Sequence, residues 1–531
     1  MTNENIISEN TQRKEGRDAQ RNNILAAKLV AQTIKSTLGP KGMDKMLVDS
    51  LGDIIVTNDG VTILREMQIE HPTAKMIVEI AKTQESEVGD GTTTAVIFAG
   101  EFLKNAEELL YKKIHPTILV KGFNLAQKKS NQILNEMSFD ISINDTDKLI
   151  NICQTAMTGK GAEFSKEHLS KILVNCVKNI VENDECDIDI NAIKFQKKVG
   201  GSIEDTQLID GILLDKNKLL HSMPNKVNEA KILIMSCPLE HKDIEFDAKI
   251  QITDPSQIQS FLNQEETIIK NKVDKIISSG ANVVFVQKGI DDYAQHLLSE
   301  NNIFAVRRIT KDDIEKLSLA TGAKIVNNID AINNSSLGYA NIVEQKKISD
   351  HEMIFVSGCK NPKSSTILIR GGTEHVLSEI ERALDDSLRD IIVSLKYKKV
   401  VCGAGSVEIK LADELKKYAN TLSGREQLAV LSYANAIEII PSILSENAGL
   451  DPIDIIADMK SKLYSGLTWP GVNVENGSII DAKEHGILEP LKVKLQALKS
   501  ATEVAIMILR TDDVIAANRL KGNESDLSNN F

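Results

Sequence analysis

Apolar residues along the chain recur in a few rhythms, and each rhythm predicts an element. Ile24, Ala27, Ala31, Ile34 and Leu38 fall three or four apart, the spacing of one buried helical face, and Gly39-Pro40 supplies a helix stop. Ala95, Ala99, Phe102, Ala106 and Leu109 repeat that spacing from residue 92, and the helical pattern runs to about residue 135. It continues through DTDKLINICQTAMTGKG to about residue 183. In DIIVTNDGVTIL two short apolar runs flank Asn58-Asp59-Gly60, a hairpin signal that sets Asp59 in a tight turn.

The middle of the chain changes rhythm. Ile244, Phe246, Ala248, Ile250 and Ile252 alternate with polar residues, which predicts a half-buried strand. Asp254-Pro255-Ser256 then opens a long helix with apolar positions at Ile258, Phe261, Leu262, Ile269, Val273 and Ile276. NVVFVQ, a helix after Gly289 and FAVRRI continue as a strand–helix alternation, an α/β unit with some parallel pairing. Beyond Arg370-Gly371-Gly372 the spacing of Leu377, Ile380, Leu384, Leu388 and Ile391 is helical again, to about Ser394, and Asp386 falls on the opposite face, where periodicity alone makes it a solvated charge. With helical ends and an α/β centre, the centre reads as an insertion into a domain shared by both termini. At 531 residues, about three or four units are expected.

Composition narrows the function classes. A net charge of -12 argues against nucleic acid or an anionic membrane as the main partner, since both call for clustered Lys and Arg. Six cysteines without a CxxC pair signal neither a zinc site nor a disulfide framework, and the nine histidines show no HExxH spacing. MTNENIISENTQRKEGRDAQ lacks the apolar core of a signal peptide, and nowhere do eighteen apolar residues run together, so a cytoplasmic location is expected. The last residues, from Leu520, are polar and read as a frayed tail.

Candidate chemistry gathers at VGDGTTTAV, residues 88 to 96. Gly89 and Gly91 free the backbone around Asp90, and Thr92, Thr93 and Thr94 stand at a helix start, where unpaired N–H groups point outward. A carboxylate, hydroxyls and bare N–H groups at the positive end of a helix dipole suit a metal-bound polyphosphate. The same run also suits a well-capped core helix after an Asp-Gly turn. GxxxxGK[ST] does not occur and CGAGSVE lacks the third glycine of GxGxxG, which sets aside P-loop NTPases and Rossmann dehydrogenases. Acidic residues would then have to hold magnesium, which takes one or two carboxylates beside phosphate oxygens.

TLGPKGMDKMLVD (37 to 49), TNDGVTILREM (57 to 67), VGDGTTTAV, GGTEHVLSEIERALDDSLRD (371 to 390) and NGSIIDAKEHGILEPLKVK (476 to 494) closely resemble the signatures of group II chaperonins, above all archaeal thermosome subunits. ITDPSQIQSFLNQEE and SGANVVFVQKGIDDYAQHLL resemble the apical domain of that family, so the likeness runs from about residue 10 to 519. It implies a multidomain α and α/β fold: a mainly helical equatorial ATP-binding domain (1–145 and 401–531), a small intermediate domain (146–214 and 367–400) and an α/β apical substrate-binding domain (215–366) with a helical lid protrusion near 244–278. It also implies other chaperonin subunits as partners in a stacked double ring, homo- or hetero-oligomeric, and unfolded or partly folded client proteins.

The resemblance implies ATP and Mg²⁺ as cofactors. It puts Asp90 on the Mg²⁺, with Gly91 and Thr92 to Thr94 donating to phosphates, Asp386 as the catalytic residue that orients or activates the attacking water, and Asp59 as a second catalytic carboxylate near water and metal. Gly159 and Lys160, in TGKG, match the turn whose lysine senses the γ-phosphate; Gly39, Gly403 and Gly405 would approach the nucleotide, and Glu489 matches an acidic residue near the ribose. Ala404 and Ser406 stand where the family usually shows GGGA, and Asp385-Asp386-Ser387 where it shows His-Asp-Ala, an extra methyl in the nucleotide loop and an extra carboxylate beside Asp386. Two functions follow as expectations: an ATP-driven foldase that encloses non-native protein, or a nucleotide-binding structural subunit of a hetero-oligomeric ring with weak or no hydrolysis.

Overall fold

The computed structural model describes residues 11–48, 52, 54–181, 190–209, 211–240, 255–348, 351–359 and 364–517. The chain forms two compact units, one from residues up to Glu163 together with Asp385 onward, the other from Phe164–Leu384.

The first unit is a helical bundle. Its core helices are Gly16–Lys35, Pro72–Val88, Thr92–Tyr111, Pro116–Met137, Arg425–Ile437 and Leu491–Arg510. The Thr92–Tyr111 helix lies against four of the others, which explains why Ala95, Ala99, Phe102 and Ala106 are fully buried. At its centre Phe102 stacks on Tyr433 with ring centroids 4.2 Å apart, Phe123 meets the same tyrosine edge-on, and the buried Tyr433 hydroxyl pairs with Thr502 at 2.9 Å. Helices Arg425–Ile437 and Ile439–Asn447 together are long and apolar enough to cross a membrane, but more than half of that stretch is buried inside the fold.

The structure divides two expected helical runs into separate helices and overturns one expected turn. The run from 92 to about 135 is two helices, because Pro116 cannot sit in a helix interior and instead occupies a first turn capped by His115. The run to about 183 is likewise broken into Thr146–Met157 and Lys166–Ile180, with the Gly159-Lys160-Gly161 turn between them. Asn58-Asp59-Gly60 is not a hairpin turn: the antiparallel pair is Lys45–Val48 with Ile54–Thr57, and Asp59 is the N-cap of a helix, Gly60–Glu66. Val61, Ile63 and Leu64 are all buried, a helical rather than an alternating set.

Short strands close the first unit. Lys399–Cys402 lies between Leu488–Pro490 and Phe139–Asp140, antiparallel to both. Thr11–Glu15 pairs antiparallel with Asp513–Ala517, with Thr11 opposite Ala517. Cys153, Cys176, Cys237 and Cys402 form no disulfide, and burial pushes the Cys176 and Cys402 thiols up to about 12.

Among the described residues the second unit is built on a seven-stranded mixed sheet. Phe304–Val306, Val283–Val286 and Lys226–Met235 run parallel, and Gly338–Ile348, His351–Ser357 and Gly211–Leu214 continue the sheet antiparallel. All four residues of Val283–Val286 are buried because helices cover both faces: Val283 and Phe285 pack with Ile314 and Leu317, while Val284 and Val286 pack with Val273, Ile276 and Leu298. The expected helix after Asp254 spans Pro255–Ser278, with Ile269, Val273 and Ile276 buried. The strand expected at 244–252, and with it part of the expected lid protrusion, lies outside the described residues.

Candidate functional site

Every predicted site residue lies in the first unit. The Pro72–Val88 helix ends at Gly89 in the left-handed conformation, and Gly91, also left-handed, is the N-cap of the Thr92–Tyr111 helix. Glycine offers no side chain to cap that helix, so its first N–H groups have no such partner at Gly91. The loop is fixed from behind by Gln84, whose Nε2 donates to the carbonyls of Asp90 (2.9 Å) and Val493 (3.2 Å). A second helix begins the same way, Gly405 being the left-handed N-cap of Ser406–Ala419 without a side-chain cap.

Beside the first of these starts stands a cluster of charge. Lys160 Nζ donates to Asp386 Oδ2 at 2.5 Å and lies 3.9 Å from Asp90 Oδ1. Its turn is pinned: Gly159 adopts φ +81, a Cβ there would stand 2.6 Å from the Gly39 carbonyl oxygen, and Asn58 Nδ2 donates to the Gly159 carbonyl at 2.8 Å. Gly39 is thus beside the lysine turn, itself at φ +86. Asp59 accepts from the Val61 and Thr62 N–H groups and from the Thr62 hydroxyl, so its carboxylate is chiefly a helix cap.

The electrostatics separate the partners. Burial pushes Asp386 up, the Lys160 charge opposes this, and Asp90 and Asp59 add to the rise, leaving its carboxyl at about 7. For Lys160 burial works against the charge, yet Asp386 and Asp90 outweigh it and hold the ammonium above its ordinary range. The asymmetry is physical: the lysine gains from every carboxylate, whereas each carboxylate gains one lysine and is repelled by its fellows. Asp385 is engaged elsewhere, accepting from Arg389 Nε at 2.8 Å, so the repulsion on Asp386 comes from Asp90 and Asp59.

The glycine loop lies beside Glu489. A Cβ on Gly403 would stand 2.5 Å from Glu489 Oε1. Ala404 has φ +55, a conformation that favours glycine, so the residue departing from the usual GGGA carries backbone strain.

Some members of the cluster carried no sequence signal. Asp390, one turn beyond Asp386, is 3% exposed and its Oδ1 has no hydrogen-bond partner. Burial, then Asp90, raise its carboxyl well above the usual range. Lys494 bridges Glu489 Oε2 (2.6 Å) and Glu408 Oε1 (2.8 Å) with all but 8% of its side chain buried. Only the four-residue step from Asp386 to Asp390 could have flagged the first; the second joins Glu408 to the distant stretch that carries both Glu489 and Lys494. Among the described residues no three Asp, Glu, His or Cys side chains converge closely enough to hold a cation by themselves. The arrangement instead fits a cation that brings its own oxygens: single carboxylates, one lysine, and two helix starts without a side-chain cap.

Residues 30–519 match the model of the TCP-1/cpn60 chaperonin family. The chain is 54% identical to the thermosome subunit beta of Archaeoglobus fulgidus over 97% of its length and 95% of that protein. It is 53% identical to thermosome subunits of Methanopyrus kandleri, over 97% of this chain and 95% of that one, and of Pyrococcus abyssi, over 97% and 94%.

Proposed function

The chain belongs to the TCP-1/cpn60 chaperonin family as a group II, thermosome-like subunit, and on that premise we propose that it is a cytoplasmic Mg-ATP-hydrolysing chaperone subunit that encloses non-native protein in a stacked double ring. The observation that carries the ATPase reading is Lys160 held between Asp386 and Asp90 near a helix start capped only by glycine. Asp90 is the residue to hold the magnesium, Gly91 and Thr92 to Thr94 the phosphates, and Lys160 the terminal phosphate. A bound Mg²⁺ would neutralise phosphate oxygens. Asp386, with its carboxyl at about 7, can take a proton from water at neutral pH, and Asp59 steadies the same region from its helix cap.

Within this reading the equatorial domain takes 1–145 and 401–531, the intermediate domain 146–214 and 367–400, and the apical domain 215–366. Ring assembly is supported by Met46, Val48, Ile54 and Val56, an exposed apolar set on one two-stranded hairpin that a neighbouring subunit would cover.

Ala404 favours a second reading, a nucleotide-binding structural subunit that hydrolyses weakly or not at all, because its strained φ lies in the loop expected to approach the nucleotide. Mg²⁺-dependent ATP turnover by the unmodified protein and by Asp386→Ala, with assembly followed by light scattering, separates them. Turnover lost in the variant while rings persist supports the foldase. Rings without turnover in the unmodified protein support the structural subunit.

A further inference from the structure

Both glycine-bearing loops of the site are backed by the same helical turn, the first of Leu491–Arg510. On one side Val493 serves the loop around Asp90: its carbonyl shares the Gln84 amide with the Asp90 carbonyl, and its Cγ1 would stand 2.7 Å from a Cβ on Gly91. On the other side Lys494 serves the loop of Gly403 to Gly405. Its ammonium lies 2.6 Å from Glu489 Oε2 and 2.8 Å from Glu408 Oε1, and Glu408, in the first turn after Gly405, is 2% exposed. The other oxygen of Glu489 is the one turned to Gly403.

Two glutamates and one lysine leave this group one negative charge in excess. Without the lysine, two carboxylates would share a buried site, and one of them would have to take a proton or swing out. Burial already raises the Glu489 carboxyl, the Lys494 charge opposes this, and Glu408 adds to the rise. A charged carboxylate beside a nucleotide loop is the group that accepts a hydrogen bond from a sugar hydroxyl.

From this geometry we infer that Lys494 is a positioning residue, one that holds the Glu489 carboxylate against the Gly403–Gly405 loop as the acceptor for a ribose hydroxyl. Its role is specificity for ribonucleotide over deoxyribonucleotide. The inference rests on the nucleotide reading above.

The test compares ATP with 2′-deoxy-ATP and 3′-deoxy-ATP in the assembled full-length protein. The unmodified chain is expected to show a KM about tenfold higher for the analogue that lacks the bonded hydroxyl, the scale of one hydrogen bond to a charged group. In Lys494→Met and in Glu489→Gln the KM for ATP rises toward that of the analogue and the ratio falls to near one, with kcat changing less than KM. Lys494→Arg, which keeps the charge, retains most of the ratio. A packing role alone would move both nucleotides together. Should Lys494→Met not fold, Lys494→Gln paired with Glu408→Gln removes the two facing charges at once, and the same ratio is read there. A folded lysine variant that keeps the ratio, or an unmodified protein that turns over ATP and both analogues alike, overturns the inference alone. A protein that neither binds nor turns over any of the three overturns the nucleotide reading with it.

Discussion

Lys160 Nζ lies 2.5 Å from Asp386 Oδ2, so the carboxylate proposed to work on water is paired with a cation from a turn 226 residues earlier in the chain. Removing the carboxylate should leave the lysine to Asp90. Asp386→Ala is expected to lower Mg-ATP turnover by about a hundredfold or more, the range for a positioned general base, with nucleotide binding retained. Steady-state turnover beside equilibrium nucleotide binding checks this.

The same burial sets a pH dependence. Asp386, Asp390 and Glu489 are all raised in the fold, so below about 7, the value for Asp386, the native state holds protons that the unfolded chain releases down to its ordinary carboxyl range. These groups therefore strengthen the first unit as the pH falls through about 7 and weaken it as the pH rises. Thermal melts of the nucleotide-free protein between pH 5.5 and 8 should show this slope reduced in Asp386→Asn relative to the unmodified chain. An unchanged slope would count against the raised carboxyl.

Ala404 sits at φ +55 in the loop proposed to approach the nucleotide. Ala404→Gly should raise stability by about 0.5–1 kcal/mol, the relief of a left-handed alanine outweighing the added freedom of the unfolded glycine. Denaturant titration reads the difference, and the companion turnover assay shows whether the strain restrains hydrolysis.

Gly159 is the converse case. Its φ is +81 and a Cβ would meet the Gly39 carbonyl oxygen, a backbone atom that cannot step aside. Gly159→Ala is expected to cost about 1–3 kcal/mol and to raise the KM for ATP by displacing Lys160. Loss of stability without any change in KM would separate the turn from the site.

In the core, Phe102→Ala removes a ring stacked on Tyr433 and should cost about 3–5 kcal/mol. Tyr433→Phe should cost about 1 kcal/mol, since Thr502 still donates to the Leu498 carbonyl. Chemical denaturation of both variants measures the gap.

Much of this was legible in the sequence where the cause is local. The three- and four-residue spacing located the Thr92–Tyr111 helix and the helix carrying Asp386, and the proline after Asp254 marked the start of Pro255–Ser278. What the spacing could not carry is contact between distant segments. Asp386 on a polar face reads as solvated until Lys160 is beside it, and the buried Asp390 feels the charges of Asp90, Lys160 and Glu489, all far from it in sequence. Asn58-Asp59-Gly60 misled for a related reason: the residues of a tight turn are also those of a helix cap, and the burial of Val61, Ile63 and Leu64 decides between them.

The pairing of Thr11–Glu15 with Asp513–Ala517 has a mechanical consequence. Thr11 lies opposite Ala517, so a force pulling the two chain ends apart would load this ladder at its last rung. Its hydrogen bonds run across the strands, along such a pull, and would open one after another like a zipper rather than resist together in shear. The first described segments to part under tension would be those two strands, before any helix of the bundle bore load.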